Sequence, residues 1–210
     1  KTAAAVNLIN NGTREDVYTK VGDGMNLLLD PSDHVTRGDV KKPVMTHYYN
    51  KSRQAGLSEN QENAFNAVLN CSFSGAEDVM EIINECWDSN ALKHSWSTPD
   101  GHIADVKVIE AVDTRIEVDE LDHTTFTYRY SNNQPSTRHT SLCPNYVHSL
   151  DAWVAREMVR MADSQGFQLA HIHDSFWASP NHMNKVRSNY TEILADLANS
   201  NALSTFIKDV

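Results

Sequence analysis

Apolar positions recur at helical spacing through the first part of the chain and switch to alternation near residue 95. Residues 3–28 read as helix, from Ala3-Ala4-Ala5, Val6, Leu8 and Ile9 through a polar break at Asn10-Asn11-Gly12-Thr13 into a second helical stretch. Thr13 with Asp16 three residues on has the form of an N-cap followed by a first-turn acid. Pro31-Ser32-Asp33 punctuates a loop. Residues 37–55 are basic and helix-like, and Ser58 to Leu69 and Gly75 to Leu92 carry helical spacing. In the last of these, Val79, Ile82, Ile83, Cys86 and Trp87 share a face.

Trp96-Ser97-Thr98-Pro99-Asp100-Gly101 is a turn, after which Val106, Val108, Ile116, Val118, Phe126, Tyr128 and Tyr130 alternate with polar residues as in short strands. Asn132 to Ser136 reads as a loop. Ser149 or Asp151 caps a helix that runs to about Ser164 and stops at Gly166. Phe167 to Ser179 reads as strand, tight turn, strand, and Asn181 to Ala198 as a final helix. The order predicts an α+β fold with a late hairpin between two helices.

The length of 210 residues allows one large domain or two small ones. Hydrophobic residues make up 40% and charged residues 22%, as in ordinary globular chains, and no run of about 18 apolar residues is present to cross a membrane. The chain opens on Lys1 without a basic-apolar leader, which predicts no signal peptide and a fragment or processed piece. Cys71, Cys86 and Cys143 form no C-x-x-C pair, so a zinc ribbon or disulfide framework is not expected; they read as reduced thiols in a cytosolic compartment. The net charge of −10 argues against electrostatic coating of nucleic acid, though not against a local basic site.

Three segments could carry chemistry. In His171-Ile172-His173-Asp174-Ser175-Phe176-Trp177, Asp174 falls at the hairpin turn, where a rigidly held carboxylate suits a hard divalent cation such as magnesium. The same Asp can merely support its turn. His171 and His173, on one strand face, could instead join Asp174 as zinc ligands. In the second segment, Arg37 and Lys41 lie one helical turn apart, and Tyr49 follows eight residues later. That is roughly 12 Å further along the same side, the reach of a nucleoside triphosphate. Lys42, Lys51 and Arg53 add positive charge there. For the spacing by itself, a solvated basic helix face is the better account. The third segment, Pro144-Asn145-Tyr146-Val147-His148-Ser149, reads as a loop and a cap.

Taken in order, these segments resemble the single-subunit RNA polymerases of bacteriophages and mitochondria. Arg37-Gly38-Asp39-Val40-Lys41-Lys42-Pro43-Val44-Met45-Thr46-His47-Tyr48-Tyr49 is similar to that family's motif B, and His173-Asp174-Ser175-Phe176 to its motif C. Pro144 to Ser149 is similar to the segment upstream of motif C, and Ala5-Val6-Asn7-Leu8-Ile9 and Trp96 to Gly101 also match. The resemblance implies a right-hand polymerase: 1–36 a palm-to-fingers helical segment, 37–94 fingers, 95–143 a strand-rich insertion or fingers/palm connection, and 144–210 palm with motif C. It implies that Asp174 is one of two aspartates binding two catalytic Mg2+ ions, which activate the RNA 3′-hydroxyl and stabilise the leaving pyrophosphate. Arg37 and Lys41 would hold the triphosphate, and Tyr49 would sit at the sugar and nascent base pair. His148 would contact the duplex or ribose, His173 would position the metal aspartate, and Lys42, Lys51 and Arg53 would contact nucleic acid. The implied partners are a DNA template, RNA product and ribonucleoside triphosphates.

The chain departs from the family in lacking motif A, which carries the other metal aspartate. An upstream stretch or a second polymerase subunit is expected to supply it. Pro43 lies within the fingers helix, where it should kink or start it, and Asn50 and Trp177 stand where the family has Gly. The acid-rich stretch from Glu110 to Asp122 is expected on an outer surface or facing a partner. The other readings are a family-A-like DNA polymerase fragment, a metal-dependent hydrolase using His171, His173 and Asp174, and a non-catalytic polymerase subunit. The expected location is cytoplasmic, in an infected host cell if the origin is a phage, in preference to mitochondrial, and without a membrane.

Overall fold

The computed structural model describes residues 2–7, 12–50, 56–136 and 141–210. Five helices come first: α1 (Thr2–Ala5), α2 (Val17–Asn26), α3 (Arg37–His47), α4 (Glu59–Ser72) and α5 (Ser74–Glu85). Four strands follow, β1 (Lys93–Ser97), β2 (Ile103–Lys107), β3 (Ile109–Val118) and β4 (Thr124–Pro135), then α6 (Leu142–Ser164), β5 (Ala170–Ile172), β6 (Ser175–Trp177), α7 (Met183–Asn199) and α8 (Ala202–Asp209). The strands pair antiparallel as three separate hairpins, β1-β2, β3-β4 and β5-β6. The expected α+β class is met, with β5-β6 between the helices α6 and α7.

Helix starts follow side-chain chemistry. Ser58 and Gln61 form a capping box that opens α4, and Thr36 and Asp39 form another that opens α3. α2 is capped by Asp16, which accepts from the Thr19 N–H at 3.0 Å, and not by Thr13. The reason lies upstream: Asn7 grips the backbone N–H and C=O of Glu15, both at 2.7 Å, and the chain stays extended through Asp16. Pro43 neither starts nor ends α3, which runs on to His47.

Three expectations from periodicity are corrected. α6 begins at Leu142, so Pro144 to Ser149 lies inside the helix and not in a loop before it. Pro144 is the third helical residue, where a missing N–H costs nothing because the first four have no intrahelical acceptor. β4 continues through Asn132 to Pro135, because Ile109 and Glu110 give that stretch partners across the ribbon. α5 ends at Glu85, short of Leu92, and it buries Ile83 and partly buries Met80 while Val79 and Ile82 face solvent. The helix α8 lies beyond the expected elements altogether; its Phe206 is fully buried, with ring centres 4.2 Å from Tyr146 and 5.4 Å from Trp96.

Three apolar clusters hold the parts together. Val21, Met25, Val40, Val44, Phe65 and Leu69 join α2, α3 and α4. Gly24 lets α2 approach α4 closely; a Cβ there would lie 3.0 Å from a Val68 methyl. Trp153, Val154, Met158, Ala162, Val186 and Ile193 seat α6 on α7 with Phe176 of the late hairpin against them. Ile83, Trp96, Leu142, Tyr146 and Phe206 tie α5, β1, α6 and α8. Burying a Phe fully, as at Phe65 and Phe206, contributes roughly 1.5–3 kcal/mol each.

Candidate active site

The late hairpin is built by a two-residue turn. Ile172 pairs with Ser175, which leaves His173 and Asp174 as the turn residues. His173 takes a left-handed φ of +52° at the first turn position. Asp174 therefore projects, exposed, from a rigid support. β5 ends at Ile172, so His171 and His173 do not share a strand face as expected. The His171 Nδ1 instead lies 3.4 Å from the His173 carbonyl. Among the described residues, His171, His173 and Asp174 do not converge as three metal ligands. One group does: Glu117, Asp119 and His123, all exposed at the tip of the β3-β4 ribbon, with ligand atoms within 4.8 Å of one another.

Beside the turn is an open cleft of about 920 Å³ whose walls include His148, Asp151, Arg156, Arg160, His171 and His173. His148, Ala152, Arg156 and Arg160 come from one face of α6, since 148, 152, 156 and 160 recur one helical turn apart, with Asp151 beside them. Tyr190 on α7 feels both Asp151 and Asp174: burial raises its phenol pKa, and the two carboxylate charges raise it further.

The tyrosine after α3 contacts one wall residue of this cleft. The Tyr49 ring lies edge-on to the His148 ring, with centres 5.8 Å apart. Tyr49 is past the end of α3, so it is not aligned with Lys41 along one helix as its spacing suggested. What fixes it is the turn: Asn50 adopts φ +58°, a left-handed conformation that Asn tolerates in place of Gly. Its side-chain amide exchanges two hydrogen bonds with that of Asn84, at 2.6 and 3.0 Å. His47 adds a 2.8 Å contact to Glu77. The substitution of Asn for Gly thus comes with a fastening of the α3 end to α5. Trp177, the other departure, pairs with Ala170 in the ladder and is half exposed.

The cations of α3 are placed differently. Arg37 is held by Asp16, at 2.9 Å from Nε and 2.8 Å from Nη2, and lies 5.3 Å from the centre of the Tyr18 ring. The Thr19 N–H and then Arg37 hold the Asp16 carboxyl below the usual carboxylate range. Lys41 and Lys42 are exposed on α3. Lys51 and Arg53, like Leu8 and Ile9, lie outside the described residues.

Sequence reasoning missed the groups that brace α6. Asp100, with a side chain only 3% exposed, receives Arg156 Nε at 2.7 Å and Nη2 at 3.0 Å, and the Thr98 hydroxyl at 2.6 Å. Arg156, then Thr98 and the His102 N–H, hold its carboxyl far below the usual range. Trp96 Nε1 donates to Ser149 Oγ at 2.8 Å, which in turn donates to the Tyr146 carbonyl at 2.7 Å. The Thr-Pro-Asp-Gly turn of β1-β2 is thereby locked onto the helix that carries His148. The four-residue recurrence from His148 to Arg160 was the signal that could have found the cleft wall.

The helix-end Tyr49 thus meets His148, which lines one open cleft together with His171 and His173 of the late hairpin. A sequence profile of the DNA-dependent RNA polymerase family matches residues 95–210, more than half of the chain, and the chain belongs to that family. It is 26% identical to the chloroplastic DNA-directed RNA polymerase 3B of Nicotiana tabacum, over 83% of this chain and 22% of that protein. It is 23% identical to the mitochondrial DNA-directed RNA polymerase 1 of Nicotiana sylvestris, over 97% of this chain and 25% of that protein. The chain spans about a quarter of the length of the curated relatives it matches. Among the described residues, no helix is long and apolar enough to cross a membrane.

Proposed function

We propose that this chain is the fingers and C-terminal palm portion of a DNA-directed RNA polymerase, adding ribonucleotides to an RNA 3′ end on a DNA template. The observation that carries the reading is the contact between the rings of Tyr49 and His148, the latter lining an open cleft with His171 and His173 of the late hairpin. It links one residue from each of the three resembling segments, Tyr49, His148 and His173, which are far apart in sequence. On this reading 1–36 leads from palm to fingers, 37–94 is fingers, 95–143 connects, and 144–210 is palm.

Each residue then has a role. Tyr49, exposed and in edge contact with His148, abuts the sugar and nascent base pair. His148 meets the ribose or the duplex, and His173 orients the turn. Lys41 and Arg37 bind the triphosphate, Arg37 by exchanging Asp16 for phosphate. Lys42, with Lys51 and Arg53, touches the nucleic-acid backbone. Asp174 is an exposed carboxylate on a rigid turn and suits one position in the shell of a hard cation. Two Mg2+ ions bound there would activate the 3′-hydroxyl and stabilise the leaving pyrophosphate. The second metal carboxylate comes from an upstream segment or a second subunit that carries motif A. A cytoplasmic setting, an infected host cell for a phage-encoded chain, goes with three unpaired cysteines.

The test is primer extension by the protein assembled with its motif A segment. Asp174→Ala is expected to lower extension at least about a thousandfold while template binding persists. Tyr49→Phe is expected to relax the choice of ribonucleotides over deoxyribonucleotides more than it slows addition. Full extension by Asp174→Ala would leave a non-catalytic subunit as the account. Preference for deoxyribonucleotides in the unaltered protein would favour a DNA polymerase.

A further inference from the structure

The turn that ends α3 is fastened to α5 at two points. An ionised carboxylate only accepts, so His47 Nε2 donates to Glu77 Oε2, at 2.8 Å, with both side chains largely buried. Three residues on, the Asn50 and Asn84 amides exchange hydrogen bonds at 2.6 and 3.0 Å. Glu77 and Asn84 both belong to α5 and lie two turns, about 10 Å, apart along one of its faces. One contact would leave the turn free to pivot. Two spaced contacts fix its position and its angle together. Asn50 stands where the family has Gly, which has no side chain to make the second contact, so this fastening belongs to this chain.

Tyr48 and Tyr49 lie between the two points. Tyr48 packs against the cluster that joins α2, α3 and α4, and burial, then the Glu77 carboxylate, raises its phenol pKa. Tyr49 is 47% exposed and meets the His148 ring edge-on. A ring so exposed is not seated by packing, so the backbone that carries it decides where it stands. α5 in turn is seated on the helix that carries His148. Ile83, next to Asn84, is fully buried in one cluster with Leu142 and Tyr146 of α6, and His148 follows Tyr146 by two residues. The path from Tyr49 through Asn50, Asn84 and the Ile83 cluster to His148 therefore closes on itself and sets the spacing of the two rings.

We propose that Glu77 and Asn84 are positioning residues for the choice of sugar. Neither lines the cleft. They act by holding His47 and Asn50, so that Tyr49 stands beside His148 in one place and at one angle. Groups that select a substrate need such support, because a loosely held side chain discriminates poorly. The inference rests on the reading that Tyr49 abuts the sugar of the incoming nucleotide.

The experiment is single-nucleotide primer extension by the protein assembled with its motif A segment, comparing kcat/KM for a ribonucleotide and for its deoxyribonucleotide. A misplacement of about 1 Å costs large factors at a reacting centre, so Asn84→Ala and Glu77→Ala are each expected to lower the ratio of the two values about fivefold or more. Glu77→Gln keeps an acceptor for His47 and should hold the ratio within about twofold of the unaltered protein. Val68→Ala opens a cavity between α4 and Gly24 of α2, lowers stability without touching the fastening, and should leave the ratio unchanged. Melting above the assay temperature verifies folding. Should an alanine variant not fold, Asn84→Asp, which keeps one of the two hydrogen bonds, carries the test with the same expected direction. Unchanged ratios in the Glu77 and Asn84 variants beside a lowered ratio in Tyr49→Phe would overturn this proposal alone, as would an equal fall in Val68→Ala or in Glu77→Gln. An unchanged ratio in Tyr49→Phe would overturn the reading of Tyr49 and this proposal with it.

Discussion

Arg156→Ala tests how the cleft wall is held. Asp100 is nearly sealed from solvent, at 3% exposure, while Arg156 is 34% exposed. At about 4 Å and an effective dielectric constant of about 20, unit charges attract by roughly 4 kcal/mol. The exposed edge of Arg156 discounts this toward the value of surface pairs, below about 1 kcal/mol. Truncating one partner of a fully buried pair costs about 3–5 kcal/mol. Arg160, whose Nη2 lies 3.7 Å from the same carboxylate oxygen, can take over in part. Arg156→Ala should therefore cost about 2 kcal/mol, a fall of about 4–8 °C in Tm for a chain of this size. A double-mutant cycle with Asp100→Asn, followed by urea unfolding, should return a coupling of about 2 kcal/mol. The pH dependence has a defined sign. The folded carboxyl titrates far below its unfolded value of about 3.9, so the clasp stabilises fully above that pH and weakens as pH drops beneath it. A coupling under about 0.5 kcal/mol at pH 7 would refute the reasoning and reduce the clasp to a surface contact.

Other outcomes follow from single residues. His94 is buried, with Nε2 unpartnered and its ring centre 5.0 Å from that of Trp87; burial lowers its pKa against the pull of Asp88. The unfolded chain takes up that proton near pH 6.5 and the folded chain only lower, so stability should fall as pH drops below about 6.5, by up to about 1.4 kcal/mol per pH unit. His94→Gln should flatten that slope in denaturation measured between pH 7 and 5; an unchanged slope would contradict it. Asn50→Ala should cost about 2 kcal/mol in thermal unfolding, from the left-handed backbone and two lost hydrogen bonds, and Asn50→Gly less. Equal losses for the two would remove the backbone from the account.

The hairpin at Asp174, the helices α4 and α7, and the α+β class were legible because short-range rules govern them. A capping box, an apolar stripe or a strand–turn–strand pattern is written in adjacent residues. The resemblance of three separate segments also survived as family membership. Boundaries fared worse wherever a distant partner overrides local preference. Asn132 to Pro135 looks like a loop until Ile109 and Glu110 pair with it, and Pro144 looks like a breaker until the helix is seen to start two residues before it.

By itself, then, the chain specified the α+β class and several of its elements and pointed to candidate residues, because propensity and periodicity act over a few residues. Only the tertiary structure put Tyr49 against His148, moved Arg37 onto Asp16, and sealed Asp100 beneath Arg156. Those pairings span 99, 21 and 56 positions of the chain, and no local rule selects one partner at such a distance. Packing of the apolar clusters does, because it fixes where the helices carrying these side chains come to rest.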